Sequence, residues 1–323
     1  MLYPLTFQPI YKERVWGGRN LERLYGKPLP PGTLIGESWE ICDRPDDVSV
    51  IVNGPLAGRD LRWLMEKHAA MLLGFTKPLR GRFPLLIKIL DAQEMLSLQV
   101  HPPAHKAGEL GGEPKTEMWY VADAAPGAEL FAGLKRGITQ AEFERKIQNG
   151  AVADCVHRVA VRGGDAMFLP SGRVHAIGAG IVIFEIQQNS DTTYRVFDWN
   201  RIGLDGKLRE LHVAESLASI DFNDFEPSLI ESHRDRESGW SVQPLADCEL
   251  FKVDLISATP GQSLTWRRPR ATILGAVEGQ LIVVGNQVSV ELRAGRFCLL
   301  PAGLPEAEIR AGTPCHCLRI ETT

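Results

Sequence analysis

The sequence predicts a mainly β protein built as two barrel-like lobes with a few short helices, and three observations carry that expectation. Short apolar or alternating runs bounded by Gly, Pro and Asn recur along all 323 residues, the pattern of barrels and sandwiches. Helical spacing is confined to a few stretches. A degenerate repeat relates the two parts of the chain: Gly164-x4-Leu169-Pro170-x-Gly172 matches Gly295-x4-Leu300-Pro301-x-Gly303.

Taken in order, the runs 48–52, 84–90, 95–101, 117–122, 155–161 and 181–187 are the expected strands of the first lobe. The runs 250–256, 271–277, 280–284, 287–292, 297–300 and 317–321 supply the second. Gly285-Asn286 between two of these runs has the composition of a two-residue hairpin turn. Helices are expected over 60–73, 139–148 and 210–220. Thr139 with Glu142 three residues later is a capping-box pattern, and Asn149-Gly150 ends that helix. The polar stretch 221–247 has no periodicity and reads as the linker. The division that follows is a metal-binding lobe over 1–230 and a degenerate lobe over 231–323.

Composition narrows the function. Hydrophobic residues at 44% and charged residues at 24% are ordinary for a globular protein, and a net charge of −4 gives no support to nucleic-acid binding. Met1 to Leu5 contain neither a basic region nor an apolar signal core, and no apolar run approaches the roughly 20 residues of a membrane span. The cytoplasm is the expected compartment. Six scattered cysteines do not make a disulfide framework. Cys315-His316-Cys317 resembles a metal motif, but on a strand the two sulfurs face one way and the imidazole the other.

The candidate chemistry lies in the first lobe. Gln99 and His101 are two apart and share a strand face. Glu117 opens another strand, and His175 follows the turn Pro170-Ser171-Gly172. One amide oxygen, one carboxylate and two imidazoles could converge inside a barrel, a donor set that suits zinc or another borderline divalent metal. His105 follows Pro102-Pro103 and is expected to have left that face. Glu306 takes the place of His175 in the second repeat, so one metal per chain is expected.

Lys88 is unusual because it interrupts the apolar run Leu85-Leu86-Ile87-Lys88-Ile89-Leu90, where an unpaired ammonium is costly. A four-residue hairpin loop at 91–94 would set Lys88 opposite Ser97, on the side of Gln99 and His101. Lys115 joins them by parity with Glu117. Two lysines and a hydroxyl facing a metal point to a phosphate or other anion. Arg195, between Tyr194 and Val196, is awkward in its apolar setting unless it meets an anion or pairs with Asp191 or Asp198. Glu185 falls on the strand after His175.

The form Gly164-x5-Pro170-x-Gly172-x2-His175 resembles the second signature of the cupin superfamily. The segments Tyr11-Lys12-Glu13-Arg14-Val15-Trp16-Gly17-Gly18, Gly36-Glu37-Ser38-Trp39-Glu40, Leu98-Gln99-Val100-His101-Pro102, Lys115-Thr116-Glu117-Met118-Trp119-Tyr120, Pro170 to His175 and Gln187 to Trp199 closely resemble, in order, the type I mannose-6-phosphate isomerase family, above all its short bacterial form. The resemblance implies zinc on Gln99, His101, Glu117 and His175, with Arg195 in the active site. It also implies Ser97, Lys88 and Lys115 around the substrate, and Glu185 as an acid or base. The implied reaction interconverts mannose 6-phosphate and fructose 6-phosphate through an enediol. Arg195 would stabilise its charge, Lys88 and Ser97 would anchor the phosphate, and Glu185, Lys115 or a water at the metal would move the proton. The competing readings are an isomerase of unphosphorylated aldoses, a cupin oxygenase, and a sugar-binding cupin without activity.

Overall fold

A computed structural model describes residues 1–323. The first part of the chain supplies strands β1 (Ile10–Gly18), β2 (Ile35–Ile41), β3 (Leu85–Ala92), β4 (Leu98–Val100), β5 (Glu117–Ala124), β6 (Glu129–Leu134), β7 (Val156–Ala160), β8 (Ala166–Leu169), β9 (His175–Ile177), β10 (Ile181–Gln188) and β11 (Tyr194–Phe197). They form a six-stranded sheet, β1-β2-β3-β10-β5-β8, and a five-stranded sheet, β11-β4-β9-β6-β7. The second part supplies β12 (Asp235–Glu237), β13 (Trp240–Asp247), β14 (Phe251–Ala258), β15 (Ser263–Trp266), β16 (Thr272–Glu278), β17 (Gln280–Gly285), β18 (Val288–Arg293), β19 (Phe297–Leu300), β20 (Ala307–Ala311) and β21 (Cys315–Thr322). These make sheets ordered β12-β13-β14-β21-β16-β19 and β15-β20-β17-β18. The fold is mainly β, as expected, and its strands pair antiparallel, but each pair is two open sheets with no strand pairing that closes them into a hydrogen-bonded barrel.

β3 reads as a nearly continuous apolar run because both of its faces are buried. Ile87 and Ile89 enter a cluster of 34 buried residues that also holds Ile273, Leu318 and Ile320 of the second six-stranded sheet. The two large sheets are thus joined by one core, which the helix Leu61–Leu73 and the N-terminal segment complete. Leu5 exchanges backbone hydrogen bonds of 2.9 and 2.8 Å with Leu299. Lys88 faces the opposite way, toward the five-stranded sheet. A separate cluster of 20 buried residues, including Trp240, Trp266, Cys298, Cys315 and Cys317, fills the second sandwich.

Asp60 caps Leu61–Leu73 by accepting from the Trp63 amide, and Thr139 caps Gln140–Gln148 by accepting from the Glu142 amide. The third expected helix is shorter, Val213–Ser219. No helix is long and apolar enough to cross a membrane.

Several local expectations are corrected. Residues 48–52 make only isolated bridges, because Asp43, Phe7 and Asp60 meet them one residue at a time. The stretch 221–247 contains β12 and β13, and in β13 the buried Trp240, Val242 and Leu245 lose their period of two at the irregularity between Pro244 and Ala246. The β17–β18 turn is Asn286-Gln287, both at positive φ, one residue later than expected. Most consequential, β3 and β4 do not form a hairpin. β3 pairs with β2 and β10, whereas β4 pairs with β9 and β11 in the facing sheet. The amides of Gln93 and Glu94 bond to Trp16 O and carry the chain across the sandwich.

Candidate metal centre and active-site cavity

The sandwich of the first lobe holds a cavity of about 550 Å³, within the range of small-ligand pockets. Five of its 19 lining residues are hydrophobic, which suits a polar occupant. The chemistry comes from both walls.

On the five-stranded wall, cross-strand pairing places His175, Gln99 and Arg195 in one row: Gln99 is the partner of His175 on β9 and of Arg195 on β11. Cross-strand partners point the same way. His101 follows β4 by one residue and keeps the parity of Gln99. The turn before His175 needs Gly172 at φ +94, and the Gly172 amide donates to His101 O at 2.9 Å. His105 lies exposed in a short helix, off this face.

On the six-stranded wall, Trp119, Glu185, Lys88 and Trp39 form a row across β5, β10, β3 and β2. Glu117 precedes Trp119 by two and Glu37 precedes Trp39 by two, so both share this face. Lys115 stands just before β5, its amide donating to Ser171 Oγ at 3.2 Å. Gly17 lets β1 approach, because a Cβ there would stand 2.4 Å from Gly36 N. That contact sets Arg14 and Trp16 at the cavity edge.

Three candidate ligands meet between the walls. One ligand atom from each of His101, Glu117 and His175 lies within 4.8 Å of the others, and all three residues are buried. His101 Nδ1 is 2.8 Å from Thr192 O, and His175 Nδ1 is 2.9 Å from Arg173 O. A carbonyl only accepts, so both Nδ1 atoms carry the proton and both Nε2 lone pairs turn inward. They meet Glu117 at 3.7 and 3.5 Å. His101 Nε2 and Glu117 Oε1 have no hydrogen-bond partner although buried, which is costly unless a cation completes them. Gln99 reaches the cluster with its amide 3.3 Å from His175 Nε2, and Ser97 Oγ lies 3.4 Å from Gln99 Oε1. Burial drives both imidazoles toward the neutral, ligating form, His101 well below its ordinary value and His175 to about 4.

Charged groups crowd the rest. Lys115 Nζ is 2.8 Å from Glu117 Oε2 and 4.0 Å from Glu185 Oε1. Lys88 Nζ stands 3.4 Å from Glu185 Oε2 and 3.7 Å from Glu37 Oε2, with the Trp39 ring centroid at 5.0 Å. Burial alone would lower Lys88, but Glu185 and Glu37 overcome it and raise its pKa. Burial alone would raise Glu185, yet Lys115 and Lys88 pull it down and keep it ionised. Trp119 Nε1 donates to Glu185 Oε1 at 3.1 Å, leaving Oε2 with no hydrogen bond. For Glu37, Lys88, Arg14 and Trp39 outweigh burial and lower the pKa to about 2. The buried carboxylates Glu37, Glu117 and Glu185 face Lys88, Lys115 and Arg14, and burial pushes Glu117 up to about 7 although Lys115 pulls it down.

Arg195 is not half of a structural ion pair. Asp198 is taken by Arg201 at 2.8 Å and by Arg209 through two bonds of 2.6 and 2.5 Å. Arg195 instead donates to Glu210 O at 2.8 Å and keeps a buried, unpartnered Nε. The cavity thus gathers Lys88, Ser97, Gln99, Lys115, Glu185 and Arg195, all expected, with His101, Glu117 and His175 behind them. It also includes Arg14, Glu37, Asp191 and Arg209, which sequence reasoning did not select. Glu37 had one available signal, its position two residues before Trp39, with which it shares a face before the register shift that turns Ile41 to the core. Glu306 pairs with Arg267 on the surface.

Comparison with known proteins agrees with this geometry. A model of the phosphomannose isomerase type I catalytic domain matches residues 5–126. Mannose-6-phosphate isomerase ManA of Bacillus subtilis is 37% identical over 320 residues, 97% of each chain. Mannose-6-phosphate isomerase of Streptococcus mutans is 42% identical over 218 residues, 67% of each. The crystal structure of the Bacillus subtilis mannose 6-phosphate isomerase has a TM-score of 0.89 at 30% identity over 99% of both chains. A putative mannosephosphate isomerase of Archaeoglobus fulgidus, at 23% identity and a TM-score of 0.76, shares the fold. Similarity over nearly the whole length, together with the domain match, establishes that this chain belongs to the type I phosphomannose isomerase family.

Proposed function

We propose that the chain is a zinc-dependent aldose–ketose isomerase that interconverts mannose 6-phosphate and fructose 6-phosphate through an enediol. The observation that carries this reading is the buried meeting of two inward-facing Nε2 atoms with an unpartnered Glu117 oxygen, inside a polar cavity rich in paired lysines and carboxylates. Gln99, His101, Glu117 and His175 hold the metal, Gln99 through its amide oxygen after a half-turn of the amide. Two imidazoles, one carboxylate and one amide are a donor set that zinc accepts. Zinc bound there would supply a positive centre able to polarise the sugar oxygens.

Glu185 is held ionised by Lys115 and Lys88, and its Oε2 makes no hydrogen bond, so it takes the proton from C2 and returns it to C1. Lys115, between Glu117 and Glu185, gives a proton to the C1 oxygen and receives one from the C2 hydroxyl. Arg195, beside Gln99 in the ligand row, faces the charge that develops on the enediolate. Lys88 and Ser97 contact the sugar. This departs from the role expected of Lys88 as phosphate anchor, because a phosphate dianion there would confront both Glu37 and Glu185. In this reading the catalytic lobe spans 1–230, and 231–323 form the degenerate lobe, where the buried cysteines do not gather into a metal-ligand cluster.

The test is a coupled assay of fructose 6-phosphate formation from mannose 6-phosphate, with and without chelator. Turnover that chelation abolishes and zinc restores is expected. No turnover, or turnover indifferent to chelation, would refute the reading.

A further inference from the structure

With Lys88 closed off by two carboxylates, the substrate's phosphate needs another cation, and the cavity's outer side supplies one. The chain leaves β11 at Asp198, makes a small hairpin in which Ile202 bridges Leu208, and returns at Arg209. The hairpin is pinned by Gly203 N to Lys207 O at 2.6 Å. Arg209 uses Nε and Nη2 on Asp198, and its Nη1 has no protein partner. Arg201 shares Asp198 and also holds Met95 O at 2.8 Å. Arg201 and Arg209 therefore share the buried Asp198, Arg201 also meets the exposed Glu94 at 3.6 Å, and Arg195 stands three residues before Asp198 without pairing to it. Asp205, also on the cavity rim, is exposed at the hairpin tip.

We infer that Arg209 is a specificity-determining residue that recognises the phosphate of the sugar phosphate, held ready by Asp198 with Nη1 left for the ligand. This rests on the isomerase reading above. Asp198 plays the orienting part: a bidentate pair fixes the planar guanidinium of a residue that lines the cavity, and the direction of its remaining N–H groups is fixed with it. Arg195 lies nearer the metal ligands, so the two arginines divide the work, Arg209 on the ground-state anion and Arg195 on the reacting end.

The experiment uses the full metal-loaded chain, with steady-state kinetics on mannose 6-phosphate and calorimetric titration with inorganic phosphate. Arg209→Ala should raise KM about 10- to 150-fold, the loss of a charge-assisted contact, with kcat changed less than about threefold. Phosphate affinity should fall in parallel. Asp198 keeps Arg201 in this variant, so the chain should stay folded, with a thermal midpoint lowered by the two bonds lost from Asp198. Arg209→Lys keeps the charge without the fork and should recover part of the KM. Unchanged KM and phosphate affinity in Arg209→Ala, or a fall confined to kcat, would overturn the inference while leaving the isomerase reading intact. If the wild type does not isomerise mannose 6-phosphate, the isomerase reading fails, and the phosphate titration still decides Arg209. A wild type that binds no phosphate refutes it.

Discussion

Replacing Arg195 by alanine separates a transition-state role from a structural one, because its neighbours leave few ways for the variant to fail otherwise. The side chain makes one bond, to a backbone carbonyl of the exposed residue Glu210, and its buried Nε has no partner. Asp198, the carboxylate that truncation could have orphaned, is satisfied by Arg201 and Arg209. The fold should therefore lose no more than about 1 kcal/mol, the net value of one hydrogen bond. Loss of one prepositioned donor facing an oxyanion costs about 2.7–4 kcal/mol, or roughly 100- to 1000-fold in kcat. A contact made mainly in the transition state lowers kcat and kcat/KM together. The coupled assay on mannose 6-phosphate reads both, with metal content and thermal midpoint measured on the same preparation. Arg195→Lys should recover only part of the rate. Near-normal kcat, or loss of metal, would refute the reasoning.

Lys88→Ala leaves Glu37 and Glu185 without their shared ammonium, and breaking a buried pair costs about 3–5 kcal/mol. Arg14 still holds Glu37, so the expectation is the lower end, about 3 kcal/mol in urea unfolding; a loss below about 1 kcal/mol would contradict the buried network. Glu37 has its pKa lowered from 4.5 to about 2, so its stabilisation is fully present above the ordinary carboxylate range and disappears as pH falls through about 2. The chelated wild type should exceed Glu37→Gln by about 3 kcal/mol at pH 7, converging between about pH 4.5 and 2. A pH-independent difference would remove Glu37 from that role.

The pairing of Gln99 with His101 was legible because it depends on strand parity alone: they share a face whatever their strand pairs with. Glu117 and Glu185 lie on strands with a recognisable apolar pattern, whereas the three-residue strand His175–Ile177 has none and only the turn before it marks His175. Lys88 and Ser97 were placed in the cavity through a hairpin that does not exist. They reach it because the two sheets face each other, an arrangement that local pattern cannot distinguish from a hairpin. β2 escaped notice because a wholly buried strand carrying Glu37, Ser38 and Glu40 has no apolar alternation. Its acids are tolerated only through partners distant in sequence: Lys88 and Arg14 for Glu37, and buried Lys27 at 2.7 Å for Glu40. Arg209 was hidden for a related reason, since an irregular polar hairpin gives no periodicity and its value depends on where Asp198 holds it.

The central claim is one catalytic metal per chain, held by His101, Glu117 and His175 with Gln99, and elemental analysis paired with the fructose 6-phosphate assay tests it most directly. Wild type and Glu306→Ala should each carry one zinc and turn over mannose 6-phosphate equally. His101→Ala and His175→Ala should fall well below one equivalent and lose activity in proportion. Two metals per chain, loss of metal from Glu306→Ala, or full activity in a histidine variant stripped of metal would contradict the account.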